Sequence, residues 1–332
     1  MIPREILKKN QQIEIRTNRI VIGFICASIS GVLLSGCVTT NRPSTKATSI
    51  NSADAQSTRI IGNSGSLIPP EIPINDKAGR GGWLVVTLEL EDGSSFPAII
   101  DTGCPGILLD KSLQPALGKQ LHPFKIWTMF GQQDSGLYAT PKLYLSGTQL
   151  IAGQYVATYD FSKSSPMRKA GIKGIIGMDC LVNYCVQLDF QKGKMRFLRP
   201  EQVVITELGS SFDLKSSSNG RGSFETELLA IHHTGLLGGT NRDLIIDTGY
   251  NNDGAVDDGV IKGHYLTRLI HFFIPFRNLR IGRCVWDGEE YTNLRIGTGW
   301  NVIGLRFLAR HLVTFDFPQG KLYLKKVSSG PP

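Results

Sequence analysis

The sequence predicts an all-β protein built from two related lobes, and three observations predict it. Short apolar alternations end on turn residues, as where Leu84, Val86, Leu88 and Leu90 run into Asp92-Gly93. No long amphipathic helical period occurs after residue 34. The third observation is a repeat: PAIIDTG at 97–103 returns as DLIIDTG at 243–249, which sets Asp247 146 residues after Asp101 (247 minus 101).

With 332 residues, 41% of them apolar, the chain can bury a sizeable core as one large domain or as two lobes. Its formal charge is +8, but Arg4, Lys8, Lys9, Arg16 and Arg19, set against Glu5 and Glu14, place +3 of this ahead of residue 37. The remaining +5 (8 minus 3) is spread without basic runs or interleaved aromatics, so no nucleic-acid partner is expected.

The basic N-terminus leads into Ile20–Leu34, an apolar run of 15 residues that closes on Leu34-Ser35-Gly36-Cys37. This is the layout of a secretory signal, and the run is shorter than the ~20 residues that usually span a bilayer. Leu-Ser-Gly-Cys resembles a bacterial lipobox. The resemblance implies cleavage before Cys37 and lipid attachment through its sulfur; the alternative is an ordinary signal in which Cys37 is incidental. Val38, where an acidic residue could stand, favours by the same resemblance an outer-membrane protein facing the periplasm. The expected organisation is a signal peptide at 1–36, the lipidated Cys37 with a flexible Ser/Thr/Asn/Pro-rich tether to 75, an N-terminal lobe at 76–205 and a C-terminal lobe at 206–332.

The first lobe opens with the strand GWLVVTLEL, a turn, and FPAII, which delivers Asp101 at its end. Cys104-Pro105-Gly106 then interrupts any ladder. In KIWTMFGQQDSGLYAT a hairpin is expected, with its tip at Gly131 and Asp134-Ser135-Gly136. GIIGMDCLVNYCVQLDFQKGKMRF supplies an apolar pair before Gly177, a short helical turn and a strand carrying Val186 and Leu188. After the linker-like SSSNGRG the programme restarts with FETELLAI, and NVIGLRFLARHLVTFDFPQGKLYL answers the earlier segment. Setting Gly304 on Gly177, an offset of 127 (304 minus 177), also aligns Leu308 with Leu181, Asp316 with Asp189 and Gly320 with Gly193.

A lone Asp-Thr-Gly is most often a turn. Two copies, each fed by an apolar strand and followed downstream by Ile-Gly, resemble the aspartic peptidases, both the two-lobed pepsin-like enzymes and the retropepsin-like ones, over residues 76–326. The resemblance implies a pseudo-twofold cleft and an endopeptidase acting on peptide or protein substrates, as a monomer and without a cofactor. Asp101 and Asp247 would be the catalytic pair, since two adjacent carboxyl groups share one proton and can activate a water between them. Thr102 and Thr248 would lock the loops across the axis, Gly103 and Gly249 would allow close approach, and Gly177 and Gly304 would support the loops from behind. By the same resemblance Phe130-Gly131 would lie in a substrate-covering flap, although Phe130 as plain core is an equal reading. The alternative function is a degenerate peptide-binding or structural lipoprotein that keeps the fold.

Two departures from the family pattern stand out. Cys104 and Tyr250 follow Asp-Thr-Gly where pepsin-like enzymes usually carry Ser or Thr, whose hydroxyl supports the carboxylate. Cys104 could be free or bridged to Cys180. Cys104, Cys180, Cys185 and Cys284 allow three disulfide connectivities, and with no CxxC or Cys/His ligand spacing no metal site is expected.

Overall fold

The computed structural model describes residues 68–128, 131–216, 229–234, 241–257, 284–286, 289–291, 294–297 and 301–327. Their strands form an 11-stranded sheet, a 9-stranded sheet and a two-stranded ribbon. The helices among these residues are one- or two-turn pieces, none longer than the six-residue 3₁₀ stretch Lys111–Ala116. The all-β class follows from the sequence for the reason given: alternation buries one face of each strand, as Val86, Leu88 and Leu90 are buried in Val85–Leu90.

The 9-stranded sheet belongs to the first half of the chain. It contains Val85–Leu90, Ser95–Ile100, the hairpin His122–Thr128 with Gly131–Ala139, and Gly174–Ile176. The 11-stranded sheet runs through both halves. Ile72–Pro73, Lys194–Leu198 and Cys185–Asp189 lie beside His311–Asp316, Lys321–Lys326 and Ser210–Ser216, so each half contributes three strands in a row.

The halves meet where Cys185–Asp189 pairs antiparallel with His311–Asp316. Gln187 stands opposite Thr314, and these residues occupy equivalent places in the repeat, 127 positions apart. A pseudo-twofold axis therefore passes between them, and Gln187 Nε2 donates to Thr314 Oγ1 at 3.1 Å across it. Val186, Leu188, Val313 and Phe315, on one face of this pair, join Ile100, Ile246 and Ile303 in a single core shared by both lobes. Each such side chain contributes about 1.5–3 kcal/mol on full burial. On the other face Gln187 and Asp189 line a groove of about 860 Å³ with Glu71, Lys192 and Arg196, where the acids are paired with lysine or arginine.

Two expectations are corrected and one open alternative is resolved. Ile72–Pro73, assigned to the tether, forms an edge strand against Lys194 and Met195, because Ile72 and Ile74 bury their side chains in the shared core. Asp134-Ser135-Gly136 lies within a strand and not at the hairpin tip, since Thr128 pairs with Gly131 and Lys125 with Asp134. Turn chemistry loses there because the neighbouring strand Tyr155–Tyr159 offers partners: the Ser135 hydroxyl donates to Thr158 O, and the Gly136 N–H donates to Thr158 Oγ1. Of the two readings of Cys104, free or bridged to Cys180, the free one holds: Cys104 and Cys180 are free and buried, as is Cys185. No helix among the described residues is long and apolar enough to cross a membrane; Ile20–Leu34, Cys37 and Phe130 lie outside the described residues.

Candidate active site

Each aspartate ends a strand that runs parallel to an Ile-Gly strand. Ser95–Ile100 lies beside Gly174–Ile176, and the Asp101 N–H donates to Ile176 O at 3.0 Å. Asn241–Asp247 lies beside Val302–Gly304, with Asp247 opposite Gly304. Beyond each aspartate the chain turns at once: the Cys104 N–H donates to Asp101 O and the Tyr250 N–H to Asp247 O, both at 3.2 Å. An apolar strand thus carries a carboxyl group into the interior, and the tight turn fixes where it stops.

The two loops hold one another by a reciprocal set of hydrogen bonds. The Thr102 N–H donates to Thr248 Oγ1 and the Thr248 N–H to Thr102 Oγ1, both at 3.0 Å. The hydroxyls in turn donate across the axis, Thr102 Oγ1 to Ile246 O at 2.6 Å and Thr248 Oγ1 to Ile100 O at 2.7 Å. Both threonines are buried, so these four bonds are shielded from water. Only a short residue with one donor and acceptor on its side chain can serve both functions.

Between the loops the approach is close. A Cβ added at Gly103 would lie 2.6 Å from Asp247 Oδ2, and one added at Gly249 would lie 2.6 Å from Asp101 Oδ1. Each glycine therefore makes room for the carboxyl group of the opposite lobe. Gly177 and Gly304 play the supporting part: a Cβ on either would come within 2.6 Å of the carbonyl oxygen of Cys104 or Tyr250 respectively. From those supports the Met178 N–H donates to Cys104 O at 2.8 Å and the Leu305 N–H to Tyr250 O at 2.7 Å.

Asp101 and Asp247 are 3% and 2% exposed, and each carboxyl group lies against the glycine of the opposite loop, which brings the two acids together. Two buried acids so placed are favoured when one is protonated and can share a hydrogen bond with the other. Burial first, then the charge of Asp247, then that shared hydrogen bond, hold the Asp101 carboxyl well above the usual carboxylate range; the N–H groups of Gly103 and Gly249 act in the opposite direction. Backbone amides support the pair where Ser or Thr is missing. The Gly103 N–H donates to Asp101 Oδ1 at 2.8 Å and the Tyr250 N–H to Asp247 Oδ1 at 3.0 Å.

Cys104 and Tyr250 leave this geometry intact. The Cys104 Sγ–H turns to Gly106 O at 3.1 Å, and burial raises its thiol far above the ordinary range. Tyr250 is buried with its ring beside Gly304, on the supporting side of the loop. Of the two predicted flap residues, Gly131 begins the second strand of the hairpin.

Sequence reading missed two side chains behind the loops. Asp179 accepts the Ile107 N–H on Oδ2 at 3.2 Å, and Asp253, fully buried, meets Arg310 Nη2 at 2.7 Å and Arg306 Nε at 3.9 Å. The repeat itself held the signal: the offset of 127 superposes Arg306 on Asp179, and the offset of 146 superposes Asp253 on Ile107.

No family model and no curated protein matches the chain. Among solved structures it is similar to basic 7S globulin from soybean, at a TM-score of 0.51 and 10% sequence identity, over 79% of this chain and 96% of that one. That protein has the pepsin-like aspartic-protease fold. At this identity the likeness carries the architecture alone: the chain has the all-β, two-lobed aspartic-protease fold.

Proposed function

We propose that the protein is an aspartic endopeptidase that hydrolyses peptide bonds with a water activated between Asp101 and Asp247. The observation that carries the reading is the close approach of two buried carboxyl groups, each against the glycine of the opposite loop, that the reciprocal threonine bonds hold in register. A shared proton gives the pair both states the reaction needs. The ionised carboxylate takes a proton from the water as its oxygen attacks the peptide carbonyl, while the protonated partner donates to the developing oxyanion. Collapse of the tetrahedral intermediate breaks the C–N bond, and a proton passes from the dyad to the leaving amine.

Both half-sites lie in one chain, which supports a monomeric enzyme. The hairpin of His122–Thr128 with Gly131–Ala139 is the substrate-covering element of this reading, and Phe130-Gly131 its expected substrate contacts. Anchoring through lipid on Cys37, at an outer membrane facing the periplasm, rests on Leu34-Ser35-Gly36-Cys37 after the apolar run. Peptide or protein segments at that surface are the substrates.

The test is cleavage of a broad peptide library from pH 3 to pH 8 by wild type, Asp101→Asn and Asp247→Asn. Loss of more than about 10³-fold in either variant is expected, because neither carboxylate can be replaced by an amide in both its roles. Undiminished cleavage in either variant overturns the reading. A wild type that binds peptides and cuts none leaves the peptide-binding lipoprotein in its place.

A further inference from the structure

Behind the N-terminal loop sits a carboxyl group that the proposed hydrolysis does not use. Asp179, in the helix Met178–Leu181, is 8% exposed. Its Oδ2 accepts the Ile107 N–H at 3.2 Å, its Oδ1 is buried without a hydrogen-bond partner, and its own N–H donates to Pro105 O at 3.1 Å. The main chain and side chain of one residue thus hold the segment Pro105–Ile107, which leads directly out of Asp101-Thr102-Gly103.

The duplicated place in the second lobe has the opposite polarity. There the carboxylate, Asp253, stands on the loop, and two arginines, Arg306 and Arg310, reach it from the supporting segment. One lobe has a compensated charge at this junction. The other has an acid that accepts the Ile107 N–H, with the N–H groups of Cys180 and of Asp179 itself also acting on it, and, among the described residues, no cation at its carboxyl group; these donors favour the ionised form, and burial outweighs them. The titratable groups that face Asp179 are the Cys104 thiol on the loop and the Cys180 thiol on its own helix, and neither supplies positive charge. The third neighbour is the segment around Gly153, where 150–154 contains no titratable side chain. A buried carboxylate in such surroundings is strongly disfavoured, whereas a neutral acid is tolerated.

We infer that Asp179 is a positioning residue for the N-terminal catalytic loop: as a neutral acid it holds Pro105–Ile107 against the helix, and on ionising it loosens that segment and moves Asp101 out of register with Asp247. Burial pushes its carboxyl up to about 7, so the change falls in the neutral range. Its effect on catalysis rests on the peptidase reading; its effect on the loop does not.

The experiment therefore has two readouts on the full chain, wild type and Asp179→Asn. Asparagine keeps an oxygen that can accept the Ile107 N–H and never ionises. The first readout is amide exchange at Ile107, corrected for its intrinsic pH dependence. Wild-type protection is expected to fall about tenfold between about pH 6 and about pH 8, with the variant constant within about twofold. The second is the pH profile of kcat/KM on a cleaved peptide, whose alkaline limb is expected to move up by about one pH unit or more in the variant. Flat wild-type protection overturns the inference, and that measurement stands even if Asp179→Asn fails to fold. Shifted protection with an unshifted alkaline limb overturns the link to Asp101 and leaves that limb to the dyad. If no peptide is cleaved, the exchange readout alone decides on the loop, and the peptidase reading fails separately.

Discussion

Replacing Thr248 by valine keeps its shape and deletes its hydroxyl, which makes it a direct measure of what joins the lobes. The hydroxyl donates to Ile100 O at 2.7 Å and accepts the Thr102 N–H at 3.0 Å. Thr248 is fully buried, so no water replaces the lost partner. Two buried backbone groups are left unsatisfied, each costing about 1–3 kcal/mol, for a loss of about 2–6 kcal/mol. The added methyl returns about 0.8 kcal/mol of that. The remainder is a large share of the ~5–15 kcal/mol that stabilises an ordinary domain. Equilibrium urea unfolding of wild type, Thr248→Val, Thr102→Val and the double variant reads it directly. The double variant should lose less than the sum of the singles, since the loops part once either hydroxyl is gone. A single-variant loss below about 0.5 kcal/mol, with an unchanged urea slope, would refute the view that these bonds tie the lobes together.

Four further outcomes follow from the site. Gly249→Ala puts a methyl group against the Asp101 carboxyl; we expect a folded protein with peptide cleavage reduced about 10²-fold or more, measured as kcat/KM, and unchanged cleavage contradicts the close approach. Arg310→Met strips Asp253 of its nearer cation and should cost about 3–5 kcal/mol in urea unfolding, the typical loss when a buried pair is broken from one side. Asp101→Asn should become increasingly more stable than wild type as pH rises. The raised Asp101 carboxyl contributes its stability below the unfolded carboxylate range of about 4 and loses it as pH climbs through the folded value, while asparagine is indifferent; thermal midpoints that run parallel from pH 4 to pH 8 would exclude this. Cys104, Cys180 and Cys185 should resist a thiol reagent in the native protein and react on unfolding, because all three are buried and burial raises every one of their thiols, that of Cys185 to about 12.

The parts of the site that were legible in the sequence are those whose function is contiguous. Asp101, Thr102 and Gly103 form one loop, and the second copy at Asp247–Gly249 shows that the loop is half of a symmetric pair. Less legible were features that depend on register between distant strands. Gln187 and Thr314 occupy matched places in the repeat, yet no local period says that they face one another. Asp179 belongs to a four-residue helix too short to show a face, and it is covered by Pro105–Ile107 and by the segment around Gly153, both distant in sequence. The hairpin tip was misplaced because the turn propensity of Asp134-Ser135-Gly136 is outweighed by bonds to Thr158, a partner that only the folded sheet supplies. The role of Tyr250 was also hidden: it supports Asp247 through its backbone N–H, which every residue except proline possesses.

The antiparallel pair on the axis has a mechanical consequence. Its five residue partners, from Cys185↔Asp316 to Asp189↔Leu312, join the halves through the shared sheet, and the threonine bonds join them again at the active loops. Two rows of fasteners at different depths resist rocking far better than one, because a hinge at either row must stretch the other. The two rows tie the lobes into one frame, and any independent movement falls to elements outside both rows. The hairpin of His122–Thr128 with Gly131–Ala139 lies outside both rows, joined to its sheet through Tyr155–Tyr159.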